Sequence, residues 1–225
     1  MNEKMIWDFL YEHIGNEYGV SALMGNLYIE SRLQSVYLQS TYVRSLKMTS
    51  EQYTSAVDNG SYTNFVNDNA GYGLAQWTYW SRKKALLDYA KEYGSSIGDI
   101  NMQLRYLWEE LQKYKTVIEA VTSAKSVREA SDVIAKKYER PKDQSETALE
   151  RRASYGQKYY DQFAIGDGGD FVMATANVNI RTGNGTNYDK VGMLPKGFKL
   201  PLIEQSDNGW YAVKVWVSGE FSKLT

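Results

Sequence analysis

The sequence predicts a multidomain chain: an all-α N-terminal domain followed by a small all-β barrel. Three observations predict it. Apolar residues recur at helical spacing up to about residue 165. The segment Ile165-Gly-Asp-Gly-Gly-Asp170 then has the composition of a linker. Beyond it the apolar period becomes two, broken by turn signals at Thr182–Gly185, Pro195–Gly197 and Asp207–Gly209, and several short strands in so short a stretch suggest a small barrel. The expected boundaries are 1–163 for the helical domain, 164–171 for the linker and 172–225 for the β domain.

The helical elements follow in order. Met5, Phe9 and Leu10 make the stripe of a first amphipathic helix. Leu23, Leu27 and Glu30 share one face of a second, at i, i+4 and i+7. Leu86, Leu87 and Ala90 belong to a helix over about 79–93, with Thr78 or Ser81 as N-cap. Leu104, Leu107, Trp108 and Leu111 mark one over about 100–113. Val127, Ala130, Val133 and Ile134 mark a short one that stops before Pro141. The last covers 144–163 and ends in Tyr159, Tyr160 and Phe163. In the β domain Val178 and Ile180, Val191 and Met193, Leu200 and Leu202, and Ala212 to Val215 supply the alternating strands.

Composition bounds the chemistry. The 225 residues contain no Cys and one His. Disulfide scaffolds, thiolate sites and Cys–His peptidases are excluded. So are HExxH zinc hydrolases and, unless His13 is the base, a Ser-His-Asp triad. Hydrolytic chemistry would have to rest on carboxylates. No metal or cofactor is expected. Net charge is −1, split weakly into −3 before residue 171 and +2 from there on, so neither part favours nucleic acid. No apolar run is long enough for a membrane span. The N-terminus lacks a signal-peptide layout and is expected to open the fold, with the chain acting as a monomer. The 19 Tyr are an excess that suits carbohydrate stacking, although most read as packing residues.

Glu30 is the first acid to weigh. It lies on the apolar face near a helix C-terminus, where burial and the helix dipole both disfavour a carboxylate. A carboxyl kept neutral in this way can protonate a leaving oxygen. Equally, a Glu at a helix end can turn into water. The surrounding residues supply a context. Gly25-Asn-Leu-Tyr-Ile-Glu-Ser-Arg-Leu33, followed by Gly71-Tyr-Gly-Leu-Ala-Gln-Trp77, resembles the goose-type lysozyme and lytic transglycosylase superfamily. Together with the segment from Asn59 to Thr78 and Tyr138-Glu-Arg-Pro141, it looks like the phage tail lysozyme family over residues 3–163.

That resemblance implies a lysozyme-like fold and cleavage of the β-1,4 bond between N-acetylmuramic acid and N-acetylglucosamine in bacterial peptidoglycan. It implies Glu30 as the catalytic acid, Ser31 as the residue that follows it, and Gly73, Leu74, Ala75 and Gln76 as the loop lining the cleft. Gly71 and Gly73 would let backbone approach a sugar, and Gln76 could bond an N-acetyl group. Tyr72 and Trp77 are candidates for sugar stacking, Trp77 equally for a core anchor. Tyr138 is a candidate contact. Asp68 is the first candidate for a second carboxylate, as a positioner of water, and Asp58 the next. A loop Asp that caps its own backbone is the other reading of Asp68. Glu139 reads as pairing with Arg140 or a surface Lys, His13 as a surface or packing residue, and Lys83-Lys84 and Arg151-Arg152 as solvated helix faces.

The sequence from Ala176 to Gly197, with Gly209-Trp-Tyr211, resembles the bacterial SH3 family, whose members commonly bind peptidoglycan. It departs from the family where Val215 runs straight into Trp216-Val217, a spot at which a hairpin is usual. The resemblances together suggest a phage or mobile-element lysin, virion-associated or released at lysis. The alternatives are a lytic transglycosylase that leaves 1,6-anhydromuramoyl ends, and a non-catalytic wall-binding or tail structural protein.

Overall fold

The computed structural model describes residues 2–164 and 171–213, which fall into two compact units, Met1–Tyr160 and Asp161–Thr225. The first is helical: α1 (Asn2–Ile14), α2 (Glu17–Ser31), α3 (Ser40–Leu46), α4 (Ser50–Asp58), α5 (Trp80–Tyr93), α6 (Ile100–Leu111), α7 (Lys115–Thr122), α8 (Val127–Ile134) and α9 (Glu146–Tyr159). No described helix is long and apolar enough to cross a membrane.

α2 is the central helix. Asn16 caps it, accepting from the Gly19 N–H at 3.0 Å. From Gly19 to Leu27 every residue is buried, so its sequence shows no amphipathic stripe. It packs against α8 and α9, and two glycines set the closest approach. A Cβ on Gly25 would lie 2.3 Å from the Gly156 nitrogen, and one on Gly156 would lie 2.9 Å from the Ser21 carbonyl oxygen. Only bare backbone fits there.

Three helices go beyond the sequence expectation: α3, α4 and α7. α3 has no buried residue and α7 is a two-turn helix, so neither leaves a long periodic signal. α4 does carry a start signal. Thr49 and Gln52 form a capping box, with reciprocal bonds of 3.2 and 2.9 Å. The expected N-cap of α5 is corrected: Tyr79 occupies that position without a side-chain cap bond, and the Thr78 hydroxyl instead donates to the Gln76 carbonyl at 2.8 Å. α8 does not stop before Pro141 by fraying. It runs into a π-helical turn, Ala135–Glu139, closed by Arg140 in the left-handed region at φ 49°.

The second unit holds β1 (Phe171–Met173), β2 (Val178–Arg181), β3 (Lys190–Leu194), β4 (Lys199–Gln205) and β5 (Tyr211–Val213). All pairs are antiparallel, in sheets of order β1-β4-β5 and β2-β3. Gly197 and Gly209 take φ of 87° and 82° in the turns that the sequence marks. The parity of β3 differs from expectation: Leu194 is buried, while Val191 and Met193 are exposed. The linker expected at 165–170 and the shortened hairpin at Val215–Val217 lie outside the described residues.

Candidate active site

Glu30 is the penultimate residue of α2, so the central helix carries it to the edge of the core. Arg32 and Leu33 then take φ of 56° and 58°, which ends the helix abruptly. Ser31 fixes that end by donating its hydroxyl to the carbonyls of Leu27 at 3.2 Å and Leu74 at 2.8 Å. The Gly25–Gly156 contact decides what Glu30 meets. Going from Gly25 to Glu30 along α2 runs back along α9 from Gly156 to Arg152, so the helices are antiparallel there. Arg152 Nη2 donates to Glu30 Oε1 at 2.6 Å, and Arg152 Nη1 donates to Asn26 Oδ1 at 3.2 Å. The Glu30 side chain keeps 21% of its surface exposed, while Arg152 keeps 6%.

Glu30 opens onto a cleft of about 410 Å³, lined also by Gln39, Ala75, Gln76, Thr78, Tyr79, Arg82 and Glu139. Glu139 is the unexpected member. The π-helical turn presents it to the cleft rather than to Arg140 or a surface Lys, and its Oε1 is closed off from solvent without a hydrogen-bond partner. Burial first, and then the neighbouring Glu30 carboxylate, push its carboxyl up to about 8, against the pull of Arg82 and Arg152. The carboxyl that its surroundings hold neutral is therefore one that the sequence reading set aside.

One wall of the cleft is the Gly71–Trp77 segment. Tyr72 and Trp77 bond each other's backbone at 3.2 and 3.0 Å, and Gly73 N donates to the Tyr37 carbonyl at 3.0 Å. Gly73 has φ 75° and lies against Gln103, whose Oε1 accepts from Leu74 N at 2.9 Å. Gln76 Nε2 donates to the Tyr37 and Gly73 carbonyls, each at 3.1 Å. A Cβ on Gly71 would lie 2.8 Å from Gln76 Oε1 and 3.3 Å from Gln39 Oε1, both side chains of the cleft.

Several expected contacts are corrected by burial. Tyr72 is fully buried, its hydroxyl on Thr54 at 2.5 Å and its ring among Tyr53 and Phe65. Trp77 and Tyr138 are core residues that donate to Glu110 Oε2, at 2.9 and 2.6 Å. Arg82 adds a two-point bond to the same Glu110, at 2.8 and 2.7 Å, with its guanidinium over the Tyr138 ring. Burial opposes ionisation of Glu110, but Arg82, Tyr138 and Trp77 hold its carboxyl below the ordinary range. Glu110, itself held by Trp77 and Tyr138, therefore anchors Arg82 at the cleft. Ser31, Gly73 and Leu74 support the wall from behind, and Ala75 and Gln76 face the cleft itself.

Asp68 has a structural environment. It is ion-paired to the fully buried Lys83, accepts from Tyr53 and Tyr62 hydroxyls at 2.5 and 3.0 Å, and accepts from Ala70 N at 2.9 Å. With those donors its oxygens are spent, and it is not among the cleft-lining residues. Asp58 accepts from Ser96 Oγ and Ile97 N beside a separate cavity of about 280 Å³. Lys83 and Arg152 correct the solvated-doublet reading: one member of each pair turns inward because successive helical residues point about 100° apart. His13 packs on Phe9 and Trp108.

The residues that sequence reasoning missed are Glu139, Arg82, Arg152, Tyr79, Gln39 and Thr78. Tyr79 is the exposed aromatic of the cleft, at 63%, with Trp80 beside it at 51%. The signal for both was the Trp77-Thr-Tyr-Trp80 run, too aromatic for an ordinary surface helix start.

The first unit is a lysozyme-like helical domain whose central helix delivers a Glu to a loop-walled cleft, and the second a small SH3-like β domain. The chain belongs to the phage tail lysozyme family, whose model matches residues 1–163, and residues 176–223 match the bacterial SH3 domain. No curated protein matches it. Family and appended domain together identify a phage-type peptidoglycan-lytic enzyme with a cell-wall-binding module.

Proposed function

We propose that the enzyme hydrolyses the β-1,4 bond between N-acetylmuramic acid and N-acetylglucosamine. Glu30 protonates the bridging oxygen as the C1–O bond breaks, leaving an oxocarbenium-like sugar. Water then adds at C1 and returns its proton to the site. Tyr79 offers an open ring face to a pyranose, and Gln39, Gln76 and Thr78 offer polar atoms to its substituents. The observation that carries the reading is that Glu30 and Glu139 line one cleft, because two carboxyls in one site can divide the acid and base roles. It also favours hydrolysis over a single-acid transglycosylase route. Residues 1–163 would supply catalysis and 172–225 wall attachment, in a lysin that acts from outside the host membrane or at lysis.

The test is digestion of purified peptidoglycan with mass analysis of the new ends. Reducing N-acetylmuramic acid ends are expected, and Glu30→Gln is expected to lower their release by roughly 100- to 10,000-fold. Only 1,6-anhydromuramoyl ends would establish the transglycosylase instead. Unchanged release from Glu30→Gln would remove Glu30 from the reaction.

A further inference from the structure

We propose that Tyr79 and Trp80 form a two-ring glycan rail, in which Tyr79 holds a sugar inside the cleft and Trp80 holds the next one just outside it. The proposal rests on the reading of the cleft as a glycan site. It adds a residue with no assigned role, Trp80, as the determinant of a preference for long strands. Tyr79 lines the cleft and Trp80 does not, so the pair straddles the cleft edge. The two ring centroids lie 6.0 Å apart, with planes tilted by 47°. That spacing is close to one residue of a β-1,4 glycan. Successive sugars of such a chain turn relative to each other, so two tilted ring faces suit two neighbouring sugars better than one flat ligand.

Trp80 is 51% exposed, whereas Trp7 is 5% and Trp77 0% exposed. A single exposed aromatic needs no explanation, but two adjacent rings on the rim of a polar cleft present a contiguous face for a ligand. The Trp80 indole N–H has no hydrogen-bond partner among the described residues, while the Trp77 N–H donates to Glu110 at 2.9 Å. Lys84, one turn further along α5, carries its ammonium on to Asp88, away from the ring. The rings are also held in place. The Tyr79 carbonyl accepts from Arg82 N at 2.9 Å and Lys83 N at 3.0 Å, and those two side chains are tied to Glu110 and Asp68. The first turn of α5 is thereby fixed to the core, so a ligand does not have to order the backbone that carries the rings. The helix start gives up a side-chain cap at the same spot, since Tyr79 occupies the N-cap position without a cap bond. A glycan too short to reach Trp80 gains the Tyr79 contact alone. The site therefore favours intact strands over the short products of their cleavage.

The experiment reads binding rather than turnover. The probes are an end-labelled, peptide-free hexasaccharide of alternating N-acetylglucosamine and N-acetylmuramic acid and the matching disaccharide. Each is mixed with the full chain in the cold, and fluorescence anisotropy is read at once. Wild type is expected to bind the hexasaccharide more tightly than the disaccharide. Trp80→Ala is expected to weaken the hexasaccharide about three- to tenfold, with the disaccharide changed by less than about twofold and the melting temperature unchanged. Trp80→Phe, which keeps a ring, is expected to stay within about twofold of wild type on the hexasaccharide. Unchanged hexasaccharide affinity in Trp80→Ala overturns the proposal. So does an equal loss on both probes, a Phe variant as weak as the Ala variant, or a wild type that does not bind the hexasaccharide. Because no product is read, hexasaccharide binding without new reducing ends would count against the hydrolase reading alone and leave the rail in place.

Discussion

Three acidic side chains show how burial and bonding partners together set the state of a carboxyl. Asp68 is the carboxylate partner of a fully buried lysine. Burial lowers Lys83, and Asp68 pulls it back toward the charged form. Asp68→Asn therefore strands a buried cation and is expected to cost about 3–5 kcal/mol, seen as a large fall in denaturation midpoint. A catalytic Asp68 would instead leave stability intact and lose rate. Glu110→Gln is expected to loosen Arg82, lowering stability by a similar amount of about 3–5 kcal/mol and weakening substrate binding, seen in KM. Glu139 acts in the opposite sense. Its folded-state value of about 8 lies above the ordinary 4.5, so its contribution to stability is complete below about pH 4.5 and is lost as pH rises through 8. The melting temperature of the wild type should fall across that window, and the slope should flatten in Glu139→Gln.

At the scale of elements, the α2–α9 crossing is the feature on which the site depends. Its two glycines leave no space for even a methyl group. Gly25→Ala is expected to cost about 1–3 kcal/mol by overpacking. It should also reduce activity beyond what the stability loss explains, because a shifted α9 moves Arg152 away from Glu30. Restoring the melting temperature with a stabilising solute, without restoring the rate, would distinguish the two effects. The Gly71–Trp77 wall works differently. Its backbone bonds are largely spent within the protein, which makes it a fixed surface rather than a closing lid. Binding adaptability is left to the exposed side chains at the start of α5. Tyr79→Ala is expected to raise KM several-fold, about 1 kcal/mol, with little change in melting temperature.

For the molecule as a whole, the segments that match the lysozyme family and the bacterial SH3 domain lie in separate compact units. Each has its own secondary-structure class, and neither carries a strong charge. A chain ending at residue 163 is expected to keep its activity on soluble glycan fragments. It should sediment with intact cell walls less than the full chain does. Equal co-sedimentation would mean that the β domain is a spacer rather than an anchor.

The sequence by itself determined the change of fold class near residue 165, the central helix that ends in Glu30, and the turns at Gly197 and Gly209. These are local features, written in periodicity and in backbone conformations that few residues adopt. It also narrowed the expected acids and bases to carboxylates, since a chain with no Cys and one His offers few others. Which carboxylates was a tertiary matter. Asp68 and Glu139 each stand in a polar local sequence, and nothing nearby tells them apart. Folding places Lys83 and two tyrosines around the first. It places the second, through a π-helical turn that no periodicity announces, beside Glu30 with one oxygen out of reach of water. Charge compensation and desolvation depend on distances across the fold, and those distances decide which acid keeps its proton.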